Sequence, residues 1–151
     1  MLKINRRLML RTSAALVAGN SSLLALCQEA LAAKTPSTSD AYLYIVWPQD
    51  GEIIRGSFWC RFGLRGMGVT HAGDAAANLG HHHLLVDVNE SLDLAEPIPA
   101  DKHHMHFGAG ETEARLTLLP GPHTLQLVLG DANHMSFDPP VASRKIRIVV
   151  A

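Results

Sequence analysis

Cysteine is scarce in this chain: only Cys27 and Cys60 occur among its 151 residues. If an N-terminal signal is removed after Ala32, only Cys60 remains, so the mature chain could form no internal disulfide. A blue-copper site requires a cysteine that is followed closely by histidine and methionine. Cys60 instead precedes Arg61-Phe62-Gly63. The sequence therefore excludes a disulfide scaffold and a blue-copper centre.

A hydrophobic run long enough for a permanent membrane span is also missing. The apolar stretch at 14–26 is short and is interrupted by Gly19-Asn20-Ser21-Ser22, so no spanning helix is expected there. Basic residues precede this stretch, and Ala30-Leu31-Ala32 follows it as a small-x-small cleavage site. This order predicts an export signal peptide over residues 1–32 and a periplasmic or otherwise exported protein.

The export route depends on the paired arginines near the start of the chain. The segment from Asn5 to Arg11 contains Arg6-Arg7, a short apolar group and a further arginine, and it resembles the twin-arginine motif. Paired arginines also occur in ordinary secretory signals, so both routes stay open.

The mature part has no excess of positive charge. Four of the 13 Lys+Arg residues but only one of the 14 Asp+Glu residues precede residue 33. The remaining acidic balance does not suit binding to nucleic acid or to an anionic membrane surface. Neither is therefore an expected partner; the expected partners are a metal ion or an envelope protein.

Helical periodicity is absent beyond residue 41, and short strand patterns take its place. The clearest is 57–64, where Phe58, Cys60, Phe62 and Leu64 alternate with other residues and predict one buried face. Further strands are predicted at 42–47, 82–87, 113–118, 123–129 and 144–150. We expect an all-β domain over 42–151, an immunoglobulin-like antiparallel β-sandwich of about seven strands, after a flexible leader at 33–41.

Histidine is the residue type that stands out. All nine histidines lie between His71 and His134, in two clusters at 81–83 and 103–106 and as single residues. Because residues i and i+2 of a strand share a face, we expect two pairs to converge. The predicted metal ligands are His81, His83, His104 and His106, with His82, His123 and His134 as second choices.

Four imidazoles suit copper or zinc, and no other cofactor is expected. Imidazole binds a metal only when it is neutral, so affinity should fall between about pH 7 and pH 5. The alternative is that the histidines only form hydrogen bonds to carboxylates and backbone.

Catalytic motifs are weak, and we predict no catalytic residue. The chain has no His-Glu-x-x-His sequence for a zinc protease. The turn Gly108-Ala109-Gly110-Glu111 lacks the lysine of a phosphate-binding loop. No serine occurs in a nucleophile elbow.

Several blocks of the mature chain occur together in a characteristic order. They are Gly80-His81-His82-His83-Leu84-Leu85-Val86-Asp87, Ile98-Pro99, His106-Phe107-Gly108, Thr112-Glu113, Pro120-Gly121, Gly130-Asp131, His134 and Pro139-Pro140-Val141. Over about residues 43–150 the chain resembles domain-of-unknown-function family 4399, small exported bacterial domains. The resemblance implies a fold and a location and no activity. The chain departs from the family pattern at Glu111, where glutamine is common, and at Phe137, where a second histidine is common.

Three functions follow from these observations. The leading hypothesis is an extracytoplasmic binding module whose histidine-rich site handles copper or zinc. The second is a non-metal interaction or accessory module of the cell envelope, whose histidines are structural. The third is a small metalloenzyme.

The export hypothesis can be tested by a charge-conserving change. Arg6→Lys with Arg7→Lys should block export if the twin-arginine route is used, because that route reads the arginines themselves. Cell fractionation and N-terminal sequencing measure the outcome, and the mature protein should begin at Ala33. Normal export of the double variant would leave the ordinary secretory route.

Overall fold

The computed structural model describes residues 34–151 except 92 and 94. The predicted signal peptide and its cleavage site lie outside the described residues. Nine strands occur in this range: β1 (Tyr42–Trp47), β2 (Ile53–Ile54), β3 (Phe58–Arg65), β4 (Gly68–Val69), β5 (Leu79–Val86), β6 (His104–Phe107), β7 (Glu113–Leu116), β8 (Gly121–Gly130) and β9 (Ile146–Val150). None of the described residues forms a helix that could cross a membrane.

The strands form two sheets. The smaller sheet has the order β1-β3-β7, and all its pairings are antiparallel. The larger sheet has the order β2-β9-β8-β5-β4, and β6 also pairs with β5. Two short pairings in it are parallel, β2 with β9 and β4 with β5. Strand β5 thus lies between β8 on one side and β4 and β6 on the other.

The main hydrophobic core lies between the two sheets. Strand β3 contributes Phe58, Cys60 and Phe62, as its alternation predicts, while β8 contributes Leu125, Leu127 and Leu129 from the opposite sheet. The predicted immunoglobulin-like all-β sandwich is confirmed. Apart from β2 and β4, which are only two residues long, the described residues form seven strands, in agreement with the expected number.

A second, smaller core covers the outer face of the larger sheet. Leu85 of β5 and Val128 of β8 pack there against Val88 and Ile98, which belong to the connection between β5 and β6. Strand β5 is therefore covered on both faces, and its residues from Gly80 to Val86 are all buried. This double burial explains why the histidines of β5 are withdrawn from solvent.

The leader is held against the domain for part of its length. The Thr35 carbonyl accepts a hydrogen bond from the Asp138 amide at 3.0 Å, and the Ser37 amide donates to the Asp138 carbonyl at 3.0 Å. Residues 35–37, which the sequence predicts as part of a flexible leader, are thus tied to the segment that follows β8.

The core makes a direct stability prediction. Leu127→Ala should lower the free energy of unfolding by about 2–5 kcal/mol, because the side chain is completely buried and the change leaves a cavity. Leu119→Ala is the matched control: Leu119 is 79% exposed, so its loss should change stability by no more than about 0.5 kcal/mol. Urea unfolding measures both. Equal losses would contradict the assignment of the core.

Candidate metal centre

Three histidines meet on the outer face of the larger sheet. His81 and His83 are two residues apart on β5 and share that face, while His106 of β6 is the register partner of His83. The Nε2 atoms of His81 and His83 are 3.1 Å apart. One ligand nitrogen from each of the three residues lies within 4.8 Å of the others. This group of three could hold a metal ion.

A fourth histidine joins this group from the loop after β8. The ring centre of His134 lies 4.9 Å from that of His81 and 4.8 Å from that of His106. The Nε2 atoms of His134 and His106 are 3.2 Å apart. We call His81, His83, His106 and His134 the histidine cluster. It combines a central strand, a neighbouring strand and a loop.

Glycines make room for these rings. Gly130 of β8 is the register partner of His81, and a Cβ atom placed there would lie 2.9 Å from the Nε2 of His83. A Cβ atom at Gly108 would overlap the imidazole of His106. A side chain at either position would push the rings aside, so both glycines shape the cluster.

Burial keeps His81 and His83, the two inner members of the histidine cluster, neutral. Removal from water, together with the neighbouring imidazoles, lowers the pKa of His81 to about 4 and that of His83 to about 3. Burial and the nearby His134 also lower the pKa of His106. Proton competition with a metal at these two imidazoles therefore begins at lower pH than at an ordinary histidine.

The hydrogen bonds within the cluster leave polar atoms unsatisfied. The Nδ1 atoms of His81 and His83 are buried and have no hydrogen-bond partner among the described residues. A neutral imidazole carries one donor and one acceptor nitrogen, so contact between two Nε2 atoms does not satisfy both rings. Such atoms are rare in native proteins, and the Nε2 of His82, on the other face of β5, is a third one among the described residues.

The remaining predicted ligands lie elsewhere. His104 shares the face of His106, but it is not in the group of three, and its Nδ1 lies 3.0 Å from an Asp101 carboxylate oxygen. His82 faces the main core, where its Nδ1 donates to the Glu111 carbonyl and its ring lies 5.2 Å from that of Phe62. The structure thus leaves His104 outside the group of three that could hold a metal, and it places His82 in the environment of a core residue.

His123 forms a separate contact. Its Nδ1 lies 2.7 Å from an Asp87 carboxylate oxygen, and its Nε2 lies 2.7 Å from the Leu119 carbonyl. Burial lowers the pKa of His123, but the hydrogen bonds to Leu119 and Asp87 outweigh it and raise the pKa overall. Because both ring nitrogens act as donors, this side chain has no nitrogen free for a metal.

Phe137 occupies the position where the resemblance implies a second histidine. Its side chain is completely buried and belongs to the main core. A side chain at this position therefore packs between the sheets, and the cluster forms without it.

Comparison with known proteins supports the family and adds little on activity. Residues 60–151 match the family model for a domain of unknown function, DUF4399. The chain is a member of the DUF4399 family. This DUF4399 domain is similar to a fibronectin(III)-like module of Clostridium thermocellum CbhA, with 13% identity over 72% of this chain and 92% of that module and a TM-score of 0.34. No protein of curated function matched the chain.

The lowered pKa values predict how stability responds to pH in the metal-free protein. In the unfolded chain histidine titrates near 6.5, whereas His83 titrates at about 3 in the folded state. The unfolded state therefore binds more protons below about pH 6.5, and the free energy of unfolding should fall as pH drops. The slope is about 1.4 kcal/mol per pH unit for each such histidine.

His83→Leu should reduce this slope between pH 6.5 and 4.5, because the titrating ring is gone. His71→Leu is the control, since His71 is exposed and should leave the slope unchanged. Urea unfolding at a series of pH values, with chelator present, measures it. An identical slope for His83→Leu and the parent would show that folding does not lower the pKa of His83.

Proposed function

We propose that this DUF4399 domain is an exported metal-binding module that holds copper or zinc at His81, His83 and His106. The observation that carries the proposal is the convergence of three imidazole nitrogens within 4.8 Å. Imidazole is a preferred ligand of both metals. The site is built on paired strands, which position ligands more rigidly than loops do.

The chemistry of the cluster favours metal binding. Burial holds the imidazoles neutral, which is the state that binds a metal. His106 is exposed at the outer edge of the group, while His81 and His83 are completely buried. A metal would therefore enter and leave from the side of His106.

One observation favours a second candidate. The Nε2 atoms pair at 3.1 Å between His81 and His83 and at 3.2 Å between His106 and His134. Both distances suit hydrogen bonds. In this alternative, the histidines brace one region of the surface for an envelope partner, and no metal is involved. The two candidates differ in the metal content of the protein.

Two single substitutions on β6 test the metal site. His106→Ala should weaken Cu(II) and Zn(II) binding by more than about 100-fold, because removal of a direct ligand costs more than the 10–100-fold typical of its supporting contacts. His104→Ala is the matched control: it removes an imidazole from the same strand and face, but one that contacts Asp101. Its affinity should stay within a few-fold of the parent.

The measurement is competition with a chromophoric chelator, using protein without an affinity tag. Elemental analysis of protein isolated from its native compartment gives the metal content. Equal affinities for His106→Ala and the parent, or native protein with no metal, would favour the hydrogen-bonded alternative.

A further inference from the structure

The loop that carries His134 is held in an unusual backbone conformation. His134 has a φ of 64°, in the left-handed region that non-glycine residues rarely adopt. Asp131 supports this conformation: its backbone carbonyl accepts from the His134 amide at 2.9 Å. One oxygen of its carboxylate accepts from the amides of Asn133 and Met135 at 2.8 and 2.9 Å. The turn around Asp131 thus sets the direction of His134.

The leader fixes this turn from the other side. The Thr35 hydroxyl donates to the second carboxylate oxygen of Asp131 at 2.6 Å, although 96 residues separate them in the chain. Asp138, at the far end of the same loop, bonds to the backbone of Thr35 and Ser37. We call this contact between Thr35 and Asp131 the leader clasp. It connects the start of the described chain to the loop of His134.

The geometry points to His134 as a fourth metal ligand whose position is set by the leader clasp, so that the leader controls how firmly the metal is held. This inference rests on the proposed metal-binding function. Asp131 and Thr35 are positioning residues, because they act through His134.

The distances within the cluster suit four-coordination. A metal–nitrogen distance of about 2.0–2.1 Å places neighbouring nitrogens of a tetrahedral site about 3.3 Å apart. The Nε2 separations of 3.1 Å in the His81–His83 pair and 3.2 Å in the His106–His134 pair are close to that value. Small rotations of the rings would complete the site without a change in the backbone.

The four ligands differ in how easily they can move. His81 and His83 lie on a strand that is buried on both faces, and His106 is paired with it. His134 alone comes from a loop outside the paired strands, where its amide donates to the Asp131 carbonyl and its carbonyl accepts from the Ile98 amide. Release of His134 would leave a three-imidazole site with an open position. Exchange of the metal would therefore begin at His134. The predicted cleavage after Ala32 would place the leader clasp close to the mature N-terminus.

The experiment uses zinc and three variants of the full mature chain. His134→Asn removes the imidazole while keeping a residue type that tolerates the left-handed backbone. Thr35→Val removes only the hydroxyl of the clasp. Thr38→Val is the matched control, because its hydroxyl donates to the Gly66 carbonyl instead. X-ray absorption counts the imidazoles on the metal, and transfer to a chelator in excess gives the release rate.

We expect four imidazoles on zinc in the parent and in Thr38→Val, and three in His134→Asn. The release rate should rise about 10–100-fold in His134→Asn and about 10-fold in Thr35→Val, within the range found for loss of supporting contacts. Thr38→Val should match the parent. Thermal unfolding of the metal-free proteins should show a loss of stability in Thr35→Val, because the substitution removes a hydrogen bond to the buried Asp131 carboxylate. A purely structural clasp would show this loss alone, with a release rate equal to that of Thr38→Val.

The outcomes separate this inference from the proposed function. A parent that binds zinc no better than His106→Ala would overturn the metal site itself, and the clasp with it. A parent that binds zinc tightly through three imidazoles, with unchanged release in His134→Asn, would overturn only the fourth ligand. If His134→Asn releases zinc faster but Thr35→Val behaves like Thr38→Val, the role of the leader is wrong.

Discussion

The burial of β5 on both faces is the constraint on which the rest of this domain depends. One face of the strand meets the main core between the sheets, and the other meets the small core formed with Val88 and Ile98. Three consecutive histidines, His81, His82 and His83, lie on this strand with no more than 1% exposure. Polar groups in such a position are costly unless they find partners, so their environments decide what the domain can do.

The two faces of β5 resolve this cost differently. On the inner face the Nδ1 of His82 donates to the Glu111 carbonyl and its ring packs against Phe62, while its Nε2 has no partner among the described residues. On the outer face His81 and His83 meet other imidazoles, and their Nδ1 atoms remain without partners in the described part of the chain. His82 thus behaves as a core residue. His81 and His83 are arranged around a point where several nitrogens converge, which is the arrangement expected of a binding site.

The same burial connects the fold to the chemistry of the cluster. Because the surroundings disfavour the charged form, the inner imidazoles stay neutral and keep their lone pairs free. A metal ion bound by the converging nitrogens would bring positive charge into the cluster without protonation of the rings. His106 and His134 lie toward solvent, so a metal would enter the cluster and exchange on the side of these two residues. The division between fixed and accessible ligands follows from the position of each element in the sandwich.

Local sequence patterns determined much of this architecture. The period of two in 57–64 predicted the inward face of β3 correctly, and the same rule placed His81 and His83 together with His82 opposite. Such a period reports which face a side chain occupies because the pleat alternates along any strand. The pattern also indicated that His106 would share a face with His104, and their register against β5 confirms it.

Tertiary structure decided which of the histidines meet. His134 shares no period with β5, and its approach depends on the turn at Asp131 and on Thr35 from the other end of the chain. His104 lies on the same face as His106, but its ring contacts Asp101, because the turn before β6 brings the Asp101 carboxylate beside it. The flexible leader predicted at 33–41 is likewise tied down at 35–37 by residues about 100 positions away. A pattern along the chain specifies the face of a strand, whereas the meeting of distant segments depends on loop conformation and register, which no local period encodes.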